Sequence, residues 1–192
     1  MRSASISNKE TNDVRTTGRA APGRKIVDEA IDPGHESRTP GEPVRIQYAA
    51  LPYRISQAGS LDIMLITSRD TGRWVLPKGW PMRGKSAPQA AAREAYEEAG
   101  IIGQAGATPV GSYHYRKRRR RGTSVLCRVE VFPLDVLDEL QRWPEKRQRK
   151  RSWFSSEDAA ALVDEAELKT LILTAQEAIL RAFDSEVTAP AG

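Results

Sequence analysis

Cysteine and histidine are almost missing from this chain. A single cysteine, Cys127, excludes an intrachain disulfide framework and any zinc site built on cysteine. Two histidines, His35 and His114, leave too little for a histidine-based metal centre. Any metal here must be a hard ion held by oxygen. Long apolar runs are absent too. No stretch approaches the ~18 residues that a membrane span needs, and the opening MRSASISNKETND lacks the apolar core of a secretory signal. Aromatic residues make up 6% of the chain, with no RNP-type aromatic run and no KH loop for reading RNA. What is present, at 192 residues, 39% hydrophobic and 29% charged, is the composition of one globular domain with some disordered excess. The expectation is a cytoplasmic protein with no membrane partner.

The net charge of +5 hides a gradient. Residues 1–43 carry seven basic and seven acidic groups, and residues 155–192 carry two basic and eight acidic, so the middle holds +11. Two runs concentrate it, Arg116-Lys117-Arg118-Arg119-Arg120-Arg121 and Lys146-Arg147-Gln148-Arg149-Lys150-Arg151. Adjacent cations repel one another unless a polyanion offsets them, and the planar fork of arginine suits phosphate. Either run alone reads about as well as a bland feature, a solvated loop or a weak, nonspecific nucleic-acid patch, as it does as a phosphate site. Two together favour a phosphate-rich small molecule.

Residues 1–42 are rich in Ser, Thr, Gly, Pro and charge and read as a disordered tail. Glu10 and Asp13 argue against a transit peptide. A folded domain is expected over 43–184, with a flexible C-terminus at 185–192. Val44, Ile46, Tyr48 and Ala50 alternate as in a strand, Leu61–Thr67 is a second apolar run, and Arg73–Leu76 is a short strand ended by Pro77. Val110–Tyr115 and Thr123–Phe132 are further strands, the latter with Val125, Cys127, Val129 and Val131 on one face. That places Cys127 in the core. The stripe Leu168, Leu171, Ile172, Ala175, Ile179 and Phe183 marks a closing amphipathic helix. A second helix starts at the cap Ser86, with Gln89 completing a capping box, and stops at Gly100. Strands around a capped helix indicate a mixed α/β domain.

On that second helix Ala92, Ala95, Tyr96 and Ala99 form a small-residue face. Glu94, Glu97 and Glu98 fall opposite, at i, i+3 and i+4. Three carboxylates so spaced repel each other. Taken alone they read as an exposed acidic face. A divalent cation would remove the repulsion, and carboxylate oxygen suits Mg²⁺. Arg93, four residues before Glu97, is placed to hold that carboxylate. The preceding loop, Leu76–Lys85, adds Gly79 and Gly84, which allow positive φ, and Lys78, which sets a cation beside the acidic face.

This stretch resembles the box of the Nudix hydrolase family: Gly79 opens it and Arg93-Glu94-Ala95-Tyr96-Glu97-Glu98-Ala99-Gly100-Ile101 closes it in register. Eight of the nine fixed positions match, and Lys85 stands where the first Glu is expected. Ser68-Arg69 with Arg73-Trp74-Val75-Leu76-Pro77, and Trp143-Pro144 with Arg149-Lys150-Arg151-Ser152-Trp153-Phe154, look like the diphosphoinositol and diadenosine polyphosphate hydrolase branch. The resemblance implies an α/β/α sandwich with a mixed sheet. It implies a hydrolase cleaving a pyrophosphate link in a nucleoside diphosphate-X, dinucleoside polyphosphate or diphosphoinositol polyphosphate. Its Mg²⁺, for which Mn²⁺ can substitute, would be held by Glu94, Glu97, Glu98 and the Lys78 carbonyl. Arg93 would orient Glu97. Arg69, Arg73, Lys78, Gly79, Arg118, Arg121, Arg149 and Arg151 would grip substrate. Lys85 leaves open a second reading, a Nudix-fold module of weak or no catalysis that binds a phosphorylated ligand, RNA or a protein.

Overall fold

The computed structural model describes residues 42–56, 59–118 and 123–188. The expected tail at 1–42 therefore lies outside the described residues except for Glu42, whose carboxylate pairs with Arg116 at 2.6 Å. Arg121 and residues 189–192 lie outside them as well.

A single mixed sheet carries the fold. β1 (Val44–Ile55) and β7 (Ser124–Glu139) lie side by side and parallel at its centre. Each changes partner along its length. The first part of β1 pairs with the two-residue β4 (Lys78–Gly79), and its end pairs with β2 (Leu61–Thr67). The first half of β7 pairs with β6 (Gly111–Arg118), and the second half with β5 (Ile101–Ala105). β3 (Trp74–Val75) and β8 (Arg151–Ser155) flank β2. Alternation marks the start of β1 but fails at Ala49, Ala50, Leu51 and Pro52, which are all buried. The reason is that helices cover both faces of the sheet, so inward and outward positions are equally dry.

α1 (Ala87–Glu94) lies on one face, against Ala50, Met64, Ile66 and Phe132. α2 (Ser156–Leu162) and α3 (Ala166–Thr188) lie on the other, where Leu168, Leu171 and Ile172 meet Tyr113 and Val131. This is the α/β/α sandwich expected, and Cys127 sits in its core fully buried. Among the described residues no helix is long and apolar enough to cross a membrane.

The acidic helix differs from the straight α-helix expected through Gly100. From Ala95 to Ala99 it is a π-helical turn, and Gly100 closes it with φ +66° and an N–H shared between the Ala95 and Tyr96 carbonyls. Such turns are rare overall and are frequent at functional sites. Here the wider turn keeps Ala95 and Ala99 in the core while Glu98 goes inward. Gly100 is also required by space, because a Cβ there would lie 2.7 Å from the Trp143 ring.

Candidate functional site

Two short pieces of backbone meet at the site, β4 and the carboxyl-bearing end of the acidic helix. The Lys78 N–H donates to Glu98 Oε2 at 3.0 Å. An extended strand turns both polar groups of one residue to the same edge, so the Lys78 carbonyl also faces the helix rather than β1. Next to it, Gly79 lies against the Glu94 carboxylate: a Cβ on Gly79 would fall 1.8 Å from Glu94 Oε1. The expected reason for this glycine was a positive φ. That holds at Gly84, at +76°, but Gly79 is not among the positive-φ glycines, and its missing side chain makes room for Glu94 instead.

The three helix glutamates have different surroundings. Glu97 accepts a hydrogen bond from Arg93 Nε at 2.6 Å, as the spacing implied. Glu98 is 8% exposed, and both its oxygens are occupied, one by the Lys78 N–H and the other by the Arg149 guanidinium. Glu94 has no hydrogen-bond or ion-pair partner among the described residues. Burial, then the neighbouring Glu98, Glu97 and Glu145 carboxylates, push its pKa up to about 7. Glu98 is pushed upward too, chiefly by burial and against the pull of Arg149. Burial lowers the Lys78 ammonium to about 8.

Glu145 is the acidic neighbour that the box pattern does not contain. Its N–H donates to the Glu97 carbonyl at 3.1 Å, and its carboxylate takes Arg149 at 2.6 Å and Arg69 at 3.2 Å. The donor chemistry, carboxylates and a strand carbonyl, fits a hard divalent ion. Among the described residues, however, no three His, Cys, Asp or Glu side chains are arranged to hold an ion as they stand. Arg93, Arg149 and Arg69 occupy Glu97, Glu98 and Glu145. The crowded, unpartnered Glu94 is the excess negative charge that an ion would neutralise.

The residues expected to grip substrate are placed differently. Lys78 and Gly79 lie at the site. Arg118 is exposed at the end of β6, and Arg121 lies outside the described residues. The other four arginines have protein acceptors. Arg69 contacts Glu145 and Gln148, and Arg73 contacts Glu165 at 2.7 Å and Asp164 at 3.3 Å. Arg149 is buried between Glu98, Glu145 and the Thr67 carbonyl. Arg151 donates to the Ala99, Gly100 and Leu140 carbonyls and stacks on Trp143, capping the helix end. The second basic run thus sends alternate side chains inward.

Lys78 also belongs to a cationic and aromatic shelf with Arg45 and Lys117, neither of which is among the residues expected to grip substrate. The Arg45 guanidinium lies 4.8 Å and the Lys117 ammonium 5.1 Å from the Trp80 ring, and Lys78 lies 5.3 Å from the Tyr115 ring. Arg45 and Lys117 have no carboxylate partner among the described residues. The signal lay in the strand register: Arg45 and Tyr115 both pair with Cys127, so they share one row across three strands.

Comparison with known proteins completes the picture. The model of the NUDIX domain family matches residues 49–180, which include the whole box. Nudix hydrolase 12, mitochondrial, of Arabidopsis thaliana is 29% identical over 133 residues, 62% of this chain and 66% of the plant protein. The Mus musculus diphosphoinositol polyphosphate phosphohydrolase 3-alpha is 34% identical over 99 residues, 50% of this chain and 56% of the mouse protein. The match thus spans less than two thirds of either relative. Among solved structures, a binary complex of the C. elegans Ap4A hydrolase superposes with a TM-score of 0.54 at 25% identity, covering 72% of this chain and 98% of that one.

Proposed function

The chain belongs to the NUDIX domain family, and from that premise we propose that it is a divalent-cation-dependent pyrophosphohydrolase acting on a small molecule with an extended phosphate chain. One observation carries the reading. Glu94 and Glu98 converge on the Lys78–Gly79 strand, where a glycine leaves room for a carboxylate and a backbone N–H fixes another. An exposed acidic face would need neither.

A divalent cation bound there supplies charge neutralisation on the pyrophosphate and acidifies a water. The residues that would hold it are Glu94, Glu97, Glu98 and the Lys78 carbonyl. Arg93 keeps Glu97 in one orientation through its 2.6 Å bond. Glu94, the one helix glutamate with no protein partner among the described residues, is the carboxylate left free to take the proton from that water. The shelf of Lys78, Arg45 and Lys117 would receive the phosphates beyond the scissile link. Cations held against aromatic rings keep their charge free for such contacts. The substrate classes that fit are dinucleoside polyphosphates, diphosphoinositol polyphosphates and nucleoside diphosphates with a further group.

The test is release of phosphate or nucleotide from a panel of these compounds with Mg²⁺ or Mn²⁺, by wild type and Glu97→Gln. Wild-type turnover and its near-complete loss in the folded variant are expected. Equal rates in the two refute the assignment. Lys85 is exposed at the mouth of α1, where the family pattern has an acid, and this favours one second reading, a phosphate-binding module without turnover. Saturable ligand binding with no product from any member of the panel would establish that reading instead.

A further inference from the structure

Arg149 is an enclosed cation beside the box, and its position makes it a poor candidate for gripping substrate. Its side chain is 7% exposed, and that of its partner Glu98 is 10%. All three nitrogens of its fork are engaged. Nη2 donates to Glu98 Oε1, Nε donates to Glu145 Oε2 at 2.6 Å, and Nη1 donates to the Thr67 carbonyl at 3.0 Å. Substrate would have to displace protein acceptors from every side of it. Its two carboxylates come from different segments, Glu98 from the helix and Glu145 from the loop after β7. That loop is fixed to the helix end by the Trp143 and Glu145 hydrogen bonds as well. With Glu98 Oε2 taken by Lys78, the guanidinium holds the one remaining oxygen of the most buried box glutamate.

We propose that Arg149 is a tethered counter-cation of the box: it joins Glu98 to Glu145 in the ion-free protein and gives up Glu98 when a divalent cation is taken up. The proposal rests on the reading of the box as a cation site and makes Arg149 a positioning residue. The buried Glu98 and the half-buried Glu145, crowded by Glu94, are stabilised by a positive charge set among them. The guanidinium provides it with a fixed three-way geometry that an ammonium cannot reproduce. The same charge repels an incoming divalent cation and competes for its ligand. Ion affinity is therefore lower than the carboxylates alone would give, and uptake of the ion is coupled to loss of the Arg149–Glu98 bond while the backbone hydrogen bonds keep the 140–150 loop in place.

The experiment is Mn²⁺ titration of the full chain without substrate, followed by the electron paramagnetic resonance signal of free Mn²⁺, for wild type, Arg149→Met, Arg149→Gln and Arg149→Lys. Circular dichroism checks that each is folded. Arg149→Met should melt lower in EDTA yet bind Mn²⁺ at least tenfold tighter, a gain of ~1.4 kcal/mol. Arg149→Gln, which keeps a donor for Glu98 and loses the charge, should shift the same way, and it carries the test if the Met variant does not fold. Arg149→Lys should stay within threefold of wild type. A residue that only supports the fold would weaken ion binding when removed. Unchanged or weaker binding by the folded neutral variants, with wild type binding Mn²⁺ normally, overturns the proposal alone. Absence of saturable Mn²⁺ binding in every protein overturns it together with the reading it rests on.

Discussion

Gly79→Ala separates a glycine needed for space from one needed for conformation. The added methyl carbon would fall 1.8 Å from Glu94 Oε1, 2.2 Å from Cδ and 2.7 Å from Oε2. No such contact survives, so the carboxylate must leave. Because it is the end of a flexible side chain, the backbone need not move, and the stability cost should be at the low end of overpacking, about 1 kcal/mol. For a domain of this size that lowers Tm by roughly 2–4 °C. The chemical cost is different in kind. A carboxylate that holds the ion and takes a proton is removed from position, and loss of a well-placed group of this sort lowers turnover by roughly 100-fold or more. Gly84→Ala is the control: its φ of +76° strains alanine, but nothing lies within 4 Å of the new carbon. It should cost about 1 kcal/mol of stability and leave kcat intact. Differential scanning fluorimetry and steady-state kinetics on both variants are sufficient. If Gly79→Ala retains turnover within threefold of wild type, Glu94 does not act where the structure puts it.

Three further outcomes are expected. In ion-free protein, Glu94 keeps its proton up to about pH 7 when folded but only to near 4.5 when unfolded. The folded state thus binds more protons between those values, and its contribution to stability falls as pH rises through that window. Glu94→Gln should remove that part of the slope of Tm against pH, and an unchanged slope would contradict the crowding. Arg45→Gln with Lys117→Gln should raise KM at least tenfold for substrates with four or more phosphates, and less for a diphosphate-linked one, with kcat near wild type. Equal KM effects on both would place the shelf outside the binding path. Arg151→Met should lower stability by about 2 kcal/mol, because three carbonyls lose a charged donor, while KM stays constant. A raised KM with unchanged Tm would return Arg151 to the substrate.

Much of the site was legible because its signals are local. The capping box, the Arg93–Glu97 spacing and the stop at Gly100 all act within a turn or two of chain, and each is found in place. Central strands were legible as apolar runs, though β7 continues to Glu139, beyond the expected Phe132, through Pro133 and more exposed residues. β4, β5 and α2 were not, since two, five and seven residues are too few to establish a period. β8 begins at Arg151, the last residue of the second basic run, and its five residues are likewise too few to establish a period. The fate of the arginines was the least legible feature. Arg69 meets Glu145 across 76 positions and Arg73 meets Asp164 across 91. Composition cannot say which cations find carboxylates at that range, and a run of charge read as uniform divides in the fold into inward struts and outward heads.

The parallel pairing of β1 with β7 has a kinetic corollary. Val44 lies opposite Leu126 and Tyr53 opposite Asp135, so the pair closes a ring of about eighty residues, and β2, β4 and the acidic helix all lie inside it. Contacts so distant along the chain form late and slowly. Glu98 is buried and Glu94 is pressed against Gly79 only once that ring has closed, and a divalent ion added during refolding should speed the final step rather than the first collapse.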